Sequence, residues 1–205
     1  MSAAWDNFLA QYEAEGSERL DGYGASHFEG LNDAELARAR AMVIARAEEG
    51  QTPEIRALPL LQTPAALPVV ERLLARELGP TLVRLAACEA GWALTQSPGY
   101  QHEMLAIAEA GDDFVRARAL TAVTSLPLTP GALEAVVTLL RTEEDEALAV
   151  QLAQGVLRGH GVAVDDDDDF EAALPLVRAL AAPNLHDRGE AIATVDALVA
   201  RHRGA

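Results

Sequence analysis

The side chains that most often perform catalysis or bind metals are few and scattered in this chain. The five histidines are His27, His102, His160, His186 and His202. They form no H-E-x-x-H motif, and the sequence has no C-x-x-C, no G-x-S-x-G and no glycine-rich phosphate loop. Only His102 is followed directly by a glutamate, which argues against a di-iron centre built from several His-Glu pairs. The sequence therefore predicts no catalytic residue, no metal ligand and no cofactor.

The single cysteine and a run of aspartates are the remaining candidates for chemistry. Cys88 cannot form an internal disulfide, and no histidine lies in a partnering motif, so we predict that its thiol packs in the interior. The run Asp165–Asp169 lacks the alternating ligands and the turn-forming glycine of a calcium loop. We expect this run to end a solvated loop at residues 162–169.

Composition and charge restrict the possible partners. Half of the 205 residues are hydrophobic but only 4% are aromatic, which favours closely packed helices over a sheet. The 32 acidic residues outnumber the 16 basic ones, all of which are arginine, and the net charge is −16. Such a surface repels nucleic acids and anionic membranes, whereas it attracts a basic protein. The alternative is that the acidity only keeps the protein in solution.

The start of the chain and its apolar segments predict a cytoplasmic location. Residues Met1–Asp6 lack the basic start and the apolar run of a signal peptide. No stretch approaches the roughly 18 uncharged apolar residues that a membrane-spanning helix needs. We therefore expect no insertion into a membrane.

A helical phrase recurs along the chain and predicts its architecture. The pattern V-R-x-x-A-x-x-A-x-x-x-L occupies Val83–Leu94 and recurs at Val115–Leu126, about 32 residues later. Each copy follows a more apolar helical stretch and a short turn. A fixed period of helix pairs is typical of a stacked solenoid, in which each pair buries its apolar face against its neighbours.

Capping residues and apolar periodicity place the predicted helices. We predict that Gly16–Gly30 is a loop whose aromatic residues either pack against the first helices or form an exposed recognition site. A turn is predicted at Gly79–Pro80. The predicted helices cover residues 5–15, 33–49, 54–61, 64–77, 83–94, 99–110, 115–126, 131–141, about 147–159, 170–181 and 184–203.

The segment Ala66–Leu74, followed by Val83-Arg84 and an alanine-rich helix, closely resembles a short HEAT repeat of the kind found in phycobilin-lyase-like proteins. The resemblance covers about residues 54–198 and leaves out the first 50. It implies an all-α, HEAT-like superhelix, or solenoid, of about four helix pairs with an N-terminal helical cap. Residues 1–205 would then form a single domain, with the cap and first helix in 1–50 and the repeats in 51–205.

The resemblance also implies roles for particular residues. The phrase arginines Arg84, Arg116 and Arg188 would pair with acidic side chains of neighbouring repeats and would be structural. The second helix of each pair would line a concave face, with Leu85, Ala86 and Ala93 among its outward positions. The partner-binding candidates on that face are Glu89, Arg118, Thr121, Gln151, Gln154, Arg158 and Glu190.

A second group of candidates is acidic and lies at the turns between paired helices. Stacking should align these turns along one edge. Some of the carboxylates would cap helix N-termini, but four adjacent ones exceed what one cap needs. The acidic candidates are Asp112, Asp113, Glu143, Glu144, Asp145 and Glu146.

Two hypotheses of function follow. The first is a non-enzymatic protein-binding module, in its sharpest form a bacterial immunity protein that neutralises a basic toxin. The second is a bilin-lyase-like or other maturation factor acting on a chromophore or a protein. It would need an apolar cleft, to which Leu85, Cys88 and Trp92 could contribute, although all three could instead pack against an adjacent repeat.

Overall fold

A computed structural model describes residues 2–79, 81–164 and 166–203, and every regular element in these ranges is a helix. The predicted all-α class is therefore confirmed for this part of the chain. The chain folds into two compact units, Met1–Tyr100 and Gln101–Ala205. Two predicted features, the turn Gly79–Pro80 and the run Asp165–Asp169, are described only in part because Pro80 and Asp165 lie outside these ranges.

The first unit is built from short and medium helices. α3 packs on α4 and α5, and α6 packs on α4 and α5. In chain order the helices are α1 (Ala3–Glu13), α2 (Gly16–Leu20), a 3₁₀ turn (Ala25–His27), α3 (Asp33–Glu48), α4 (Thr52–Ala57), a second 3₁₀ turn (Leu58–Leu61), α5 (Ala66–Leu74) and α6 (Leu82–Thr95).

Local capping explains where α3 begins and ends. The side chain of Asn32 accepts hydrogen bonds from the backbone N–H groups of Ala34 and Glu35 at 3.1 and 3.0 Å. Glu35 accepts in turn from the backbone N–H and hydroxyl of Ser2 at 2.9 and 2.8 Å, which fastens α1 to α3. These bonds hold the pKa of the Glu35 carboxyl below its ordinary value. Beyond the helix, Gly50 has a φ of 88°, which suits glycine and ends α3.

Two predictions for the first unit were wrong. Residues Gly16–Gly30 are not a plain loop, because they contain α2 and the first 3₁₀ turn. The predicted helix 64–77 is shorter, since α5 begins at Ala66 and ends at Leu74. No side chain in the described ranges caps its start, since the Thr63 hydroxyl accepts only a long bond from the N–H of Ala65, at 3.4 Å.

The aromatic residues of the Gly16–Gly30 segment pack against the first helix. Phe8, which is fully buried, has its ring centroid 5.8 Å from Tyr12, 6.2 Å from Tyr23 and 5.9 Å from Phe28. This cluster joins α1 to the segment that follows it. The packed alternative is thus the correct one.

A buried ionic network joins α4 to the same region. Glu54 is 1% exposed and accepts from Arg19 at 3.0 Å, from the Tyr23 hydroxyl at 3.3 Å and from Arg46 at 3.4 Å. Arg46 also stacks over the ring of Tyr12, 3.5 Å from its centroid. Burial, and then the Glu54 carboxylate, raise the pKa of Tyr23. The partners offset the cost of burying the carboxylate, so this network is structural.

The second unit consists of longer helices. α10 packs on α8, α9 and α11, and α12 packs on α9 and α11. The boundary between the units falls within α7 (Pro98–Ala110), which is followed by α8 (Asp113–Thr124), α9 (Pro130–Thr142), α10 (Glu146–Gly159), α11 (Asp167–Leu180), α12 (Leu185–Ala193) and α13 (Val195–Arg203).

Two features of the second unit differ from the predictions. Part of the aspartate run belongs to a helix: Asp166 caps α11 by accepting from the N–H of Asp169 at 2.8 Å, and Asp167–Asp169 form its first turn. Carboxylates are favourable there because the helix N-terminus carries partial positive charge. The predicted helix 184–203 is interrupted at Thr194, whose hydroxyl donates back to the carbonyl of Glu190 at 2.9 Å.

Candidate partner-binding surface

The acidic turns of the second unit both contain helix caps. Asp112 accepts from the N–H of Val115 at 2.9 Å and begins α8, while Asp145 accepts from the N–H of Leu148 at 2.9 Å and begins α10. Asp113 and Glu146 are the first residues of these two helices. Capping therefore accounts for part of the acidity, as the sequence suggested. It leaves Glu143 and Glu144 to be explained.

Glu143 is not the exposed edge charge that was predicted. Its side chain is 4% exposed and pairs with the guanidinium of Arg116, and its Oε1 accepts from the N–H of Asp145 at 3.0 Å. A carboxylate out of water needs such partners. Glu143 is therefore a structural residue that holds the start of α8 beside the turn between α9 and α10.

Arg188 is also structural, but by a different contact. Arg188 is 2% exposed and donates to the backbone carbonyls of Leu140 and Ala182 at 2.9 and 2.8 Å and to that of Glu143. It thus satisfies the C-terminal carbonyls of α9 rather than an acidic side chain. Arg84 donates to the carbonyl of Leu74 at 3.4 Å. The expected pairing with an acidic side chain is seen at Arg116.

One exposed aromatic residue directly follows two of the remaining carboxylates. Phe114, the second residue of α8, is 64% exposed and follows Asp112 and Asp113 directly. The Arg116–Glu143 pair brings this helix start to the second acidic turn. We call the resulting group the acidic surface. Its members are Asp112, Asp113, Phe114, Glu144, Asp145 and Glu146.

Phe114 was not among the candidates predicted from the sequence. The signal that could have found it is its place in the helix: it precedes the phrase that begins at Val115, whose inward positions are buried. A large apolar side chain that does not occupy one of these inward positions cannot reach the core and stays exposed. Exposed aromatic residues are enriched in the centres of protein interfaces, so Phe114 is the strongest single candidate.

The predicted face candidates on α8 and α10 lie on two helices in contact. Thr121 accepts a hydrogen bond from the amide of Gln151 at 2.7 Å, and Arg158 donates to the carbonyl of Thr124 at 2.7 Å. Arg118 and Thr121 are exposed, whereas Gln151, Gln154 and Arg158 are half-buried. These residues form a neutral to basic row.

Glu190 lies on α12, which packs on α9 and α11. Glu190 is exposed and lies 3.4 Å from the imidazole of His186. Glu89 belongs to the first unit and pairs with Arg56 at 2.6 Å, so it is not a free charge. Two other positions predicted to face outward on α6, Leu85 and Ala86, are fully buried.

The apolar cleft that a chromophore would need does not form around the residues proposed for it. Leu85 and Cys88 are fully buried and Trp92 is 6% exposed. All three are interior side chains. The burial of the Cys88 thiol was predicted from the sequence and is confirmed.

Neither a metal centre nor a membrane-spanning element is present among the described residues. No three His, Cys, Asp or Glu side chains in the described ranges converge to hold a metal ion. No helix in the described part of the chain has the length and apolar character needed to cross a membrane.

Comparison of the chain with protein-family models, with curated proteins and with solved structures finds no match. The resemblance to HEAT repeats thus rests on the residues of this sequence.

Proposed function

We propose that the chain is a non-enzymatic protein-binding module whose acidic surface binds a basic protein partner. The observation that carries this proposal is the exposed ring of Phe114, which directly follows Asp112 and Asp113 on a helix start that the Arg116–Glu143 pair joins to the second acidic turn. An aromatic anchor contributes to affinity when it is desolvated, and surrounding charges speed the encounter and select the partner. The net charge of −16 acts in the same direction at long range.

The proposed scaffold is a HEAT-like solenoid of about four helix pairs: α5 with α6, α7 with α8, α9 with α10, and α11 with α12. The contact of α8 with α10 supports stacking of second helices within the second unit. The last pair departs from regular stacking, as terminal repeats that face water often do. We keep a cytoplasmic location as part of the proposal.

The sharpest form of this function is a bacterial immunity protein that neutralises a basic toxin. It predicts that a gene for a secreted toxin domain lies beside the gene for this chain. Co-expression of the two should then restore growth that the toxin alone stops. A neighbouring gene of unrelated function, together with no rescue, would contradict this form while leaving the binding module intact.

The test begins with capture of the partner from native lysate, followed by surface plasmon resonance at low and high salt. The variant Asp113→Arg, Glu144→Arg, Glu146→Arg leaves the caps Asp112 and Asp145 and the buried Glu143 in place. We expect association to slow by about tenfold or more, because exposed charges act through long-range steering. High salt should slow association of the unmodified chain in the same way, since it screens that steering.

The matched control reverses three exposed glutamates that do not belong to the acidic surface, Glu77, Glu134 and Glu171, and changes the net charge equally. It should slow association much less. In contrast, Phe114→Ala should raise the dissociation rate by roughly tenfold or more, because the ring is an anchor and not a steering group. A tight complex whose association rate is the same at low and high salt, and is unchanged by both triple variants, would show that the acidity serves solubility alone.

The alternative, a bilin-lyase-like or other maturation factor, stays a hypothesis. It needs an accessible apolar cleft, and the three side chains named for it are buried. A shift in absorbance on adding a tetrapyrrole to the purified chain would favour it, and the absence of binding would dismiss it.

A further inference from the structure

The first unit contains a cleft that no part of the proposed function uses. It opens between the first 3₁₀ turn, α3 and the second 3₁₀ turn, and its volume is about 320 Å³. Its apolar walls include Phe28, Leu36, Pro59 and Leu60. The ring of Phe28 is held by Phe8, 5.9 Å away between centroids, so this wall is supported from within. The volume is at the low end for ligand sites and suits a small molecule.

Arg40 provides a positive group in this cleft, and the backbone fixes its direction. Its Nε donates to the carbonyl of Leu61 at 2.8 Å. The next residue, Gln62, ends the 3₁₀ turn in the left-handed conformation, with a φ of 47°. This conformation sets the direction of the Leu61 carbonyl. In the described part of the chain no protein acceptor binds the two Nη groups of Arg40. A guanidinium with both Nη groups available is suited to a carboxylate.

Glu29 provides a negative group in the same cleft. Its side chain is exposed, and among the described residues it forms no ion pair, with Arg40 or with any other cation. The cleft therefore presents one unpaired cation and one unpaired anion against an apolar wall. A ligand that carries both charges can pair with each of them, whereas Arg40 and Glu29 do not pair with each other.

We propose that this cleft binds a free apolar amino acid in its zwitterionic form. The carboxylate pairs with the Nη groups of Arg40, the ammonium pairs with Glu29, and the apolar side chain lies against Phe28 and Leu36. A zwitterion is favoured over a simple carboxylic acid because it brings no net charge to a chain of net charge −16. The site is independent of the acidic surface, so either proposal can fail alone.

Isothermal titration of the full chain with L-leucine and L-phenylalanine tests the ligand class. We expect at least one of them to bind. Two analogues of leucine test the contribution of each charged group: 4-methylpentanoate lacks the ammonium and 3-methylbutylamine lacks the carboxylate. Each should bind at least about tenfold more weakly, because a charge-assisted hydrogen bond is lost and its partner is left unpaired. Glycine, which lacks the apolar side chain, should not bind detectably.

Variants test the residues. Glu29→Gln should weaken binding of the amino acid by about tenfold or more and leave the analogue without ammonium unaffected. The exposed Glu49, which does not line the cleft, provides the control Glu49→Gln, which should leave affinity unchanged. Arg40→Gln should also abolish binding. Thermal unfolding will show whether Arg40→Gln loosens the turn at Gln62. If it does, Glu29→Gln decides the outcome, because the Glu29 side chain forms no hydrogen bond or ion pair with any described residue.

Three results would overturn the proposal. They are no heat with either amino acid at millimolar concentration, equal affinity for the amino acid and its two analogues, and an affinity that Glu29→Gln does not change.

Discussion

At the scale of single residues, the most consequential finding is the burial of Glu143. Four adjacent acidic residues follow the last residue of α9 and lead into the first residue of α10, yet their environments differ. Glu143 is 4% exposed and bound by Arg116 and by the N–H of Asp145, whereas Glu144 is exposed. Its backbone carbonyl also accepts from Arg188. One residue thus holds three segments of the second unit, while its neighbour is available to solvent or to a partner.

This difference gives a stability prediction. Glu143→Ala should lower the free energy of unfolding by about 1–3 kcal/mol, since it removes a buried acceptor and leaves Arg116 and the Asp145 N–H without their partner. The expected loss of stability is modest because Arg116 is itself 32% exposed, so its guanidinium can hydrogen-bond to water when Glu143 is removed. Urea denaturation followed by circular dichroism measures the change.

The adjacent substitution Glu144→Ala is the control, and it should shift the free energy of unfolding by no more than about 0.5 kcal/mol. Equal effects at the two positions would mean that the buried pair contributes nothing beyond a surface charge.

At the scale of elements, the contact of α8 with α10 depends on a residue without a side chain. Gly155 lies in α10 against α8, and a Cβ built on it would be 2.7 Å from Cγ2 and 2.8 Å from Cβ of Thr124. Thr124 is itself buried and cannot move out of the way easily. Close approach of the two helices therefore requires glycine at this position.

Gly155→Ala should destabilise the chain by about 1–3 kcal/mol, because overpacking outweighs the gain in helix propensity. The control is Gly189→Ala in α12, where an added Cβ meets nothing within 4 Å. That substitution should stabilise by about 0.5–1 kcal/mol through propensity alone. Thermal unfolding of the two variants should shift in opposite directions, and a stabilised Gly155→Ala chain would contradict the close contact.

At the scale of the whole molecule, the charge imbalance is the dominant property. The chain has 32 acidic residues against 16 arginines, so the folded state concentrates repulsion that the expanded chain relieves. Ion pairs such as Arg19 with Glu54 and Arg56 with Glu89 offset part of it locally. The net charge that would attract a basic partner therefore also reduces folding stability.

Salt should consequently stabilise this protein. Raising sodium chloride from about 0.01 to 0.15 M shortens the screening length from roughly 30 to 8 Å and should raise the Tm. Tetramethylammonium chloride at the same ionic strength should have the same effect, because screening does not depend on the identity of the cation. A Tm that falls with both salts would mean that attractive pairs outweigh the repulsion.

The sequence by itself determined the helical class and most helix starts. Asn32, Thr81, Asp112 and Asp145 cap their helices through bonds to residues two or three positions away, so the chemistry is visible locally. The burial of Cys88 and the acidity of the turns could be read in the same way.

Only the tertiary structure decided which acidic residues remain exposed. The burial of Glu143 depends on Arg116, 27 residues away, and on Arg188, 45 residues away. The cleft around Arg40 likewise depends on segments far apart in the chain. Such contacts are set by the packing of whole helices. The packing energy is the sum of many small contributions from individual side chains. Local pattern therefore places a residue on a helix, but its environment is fixed only when the helices meet.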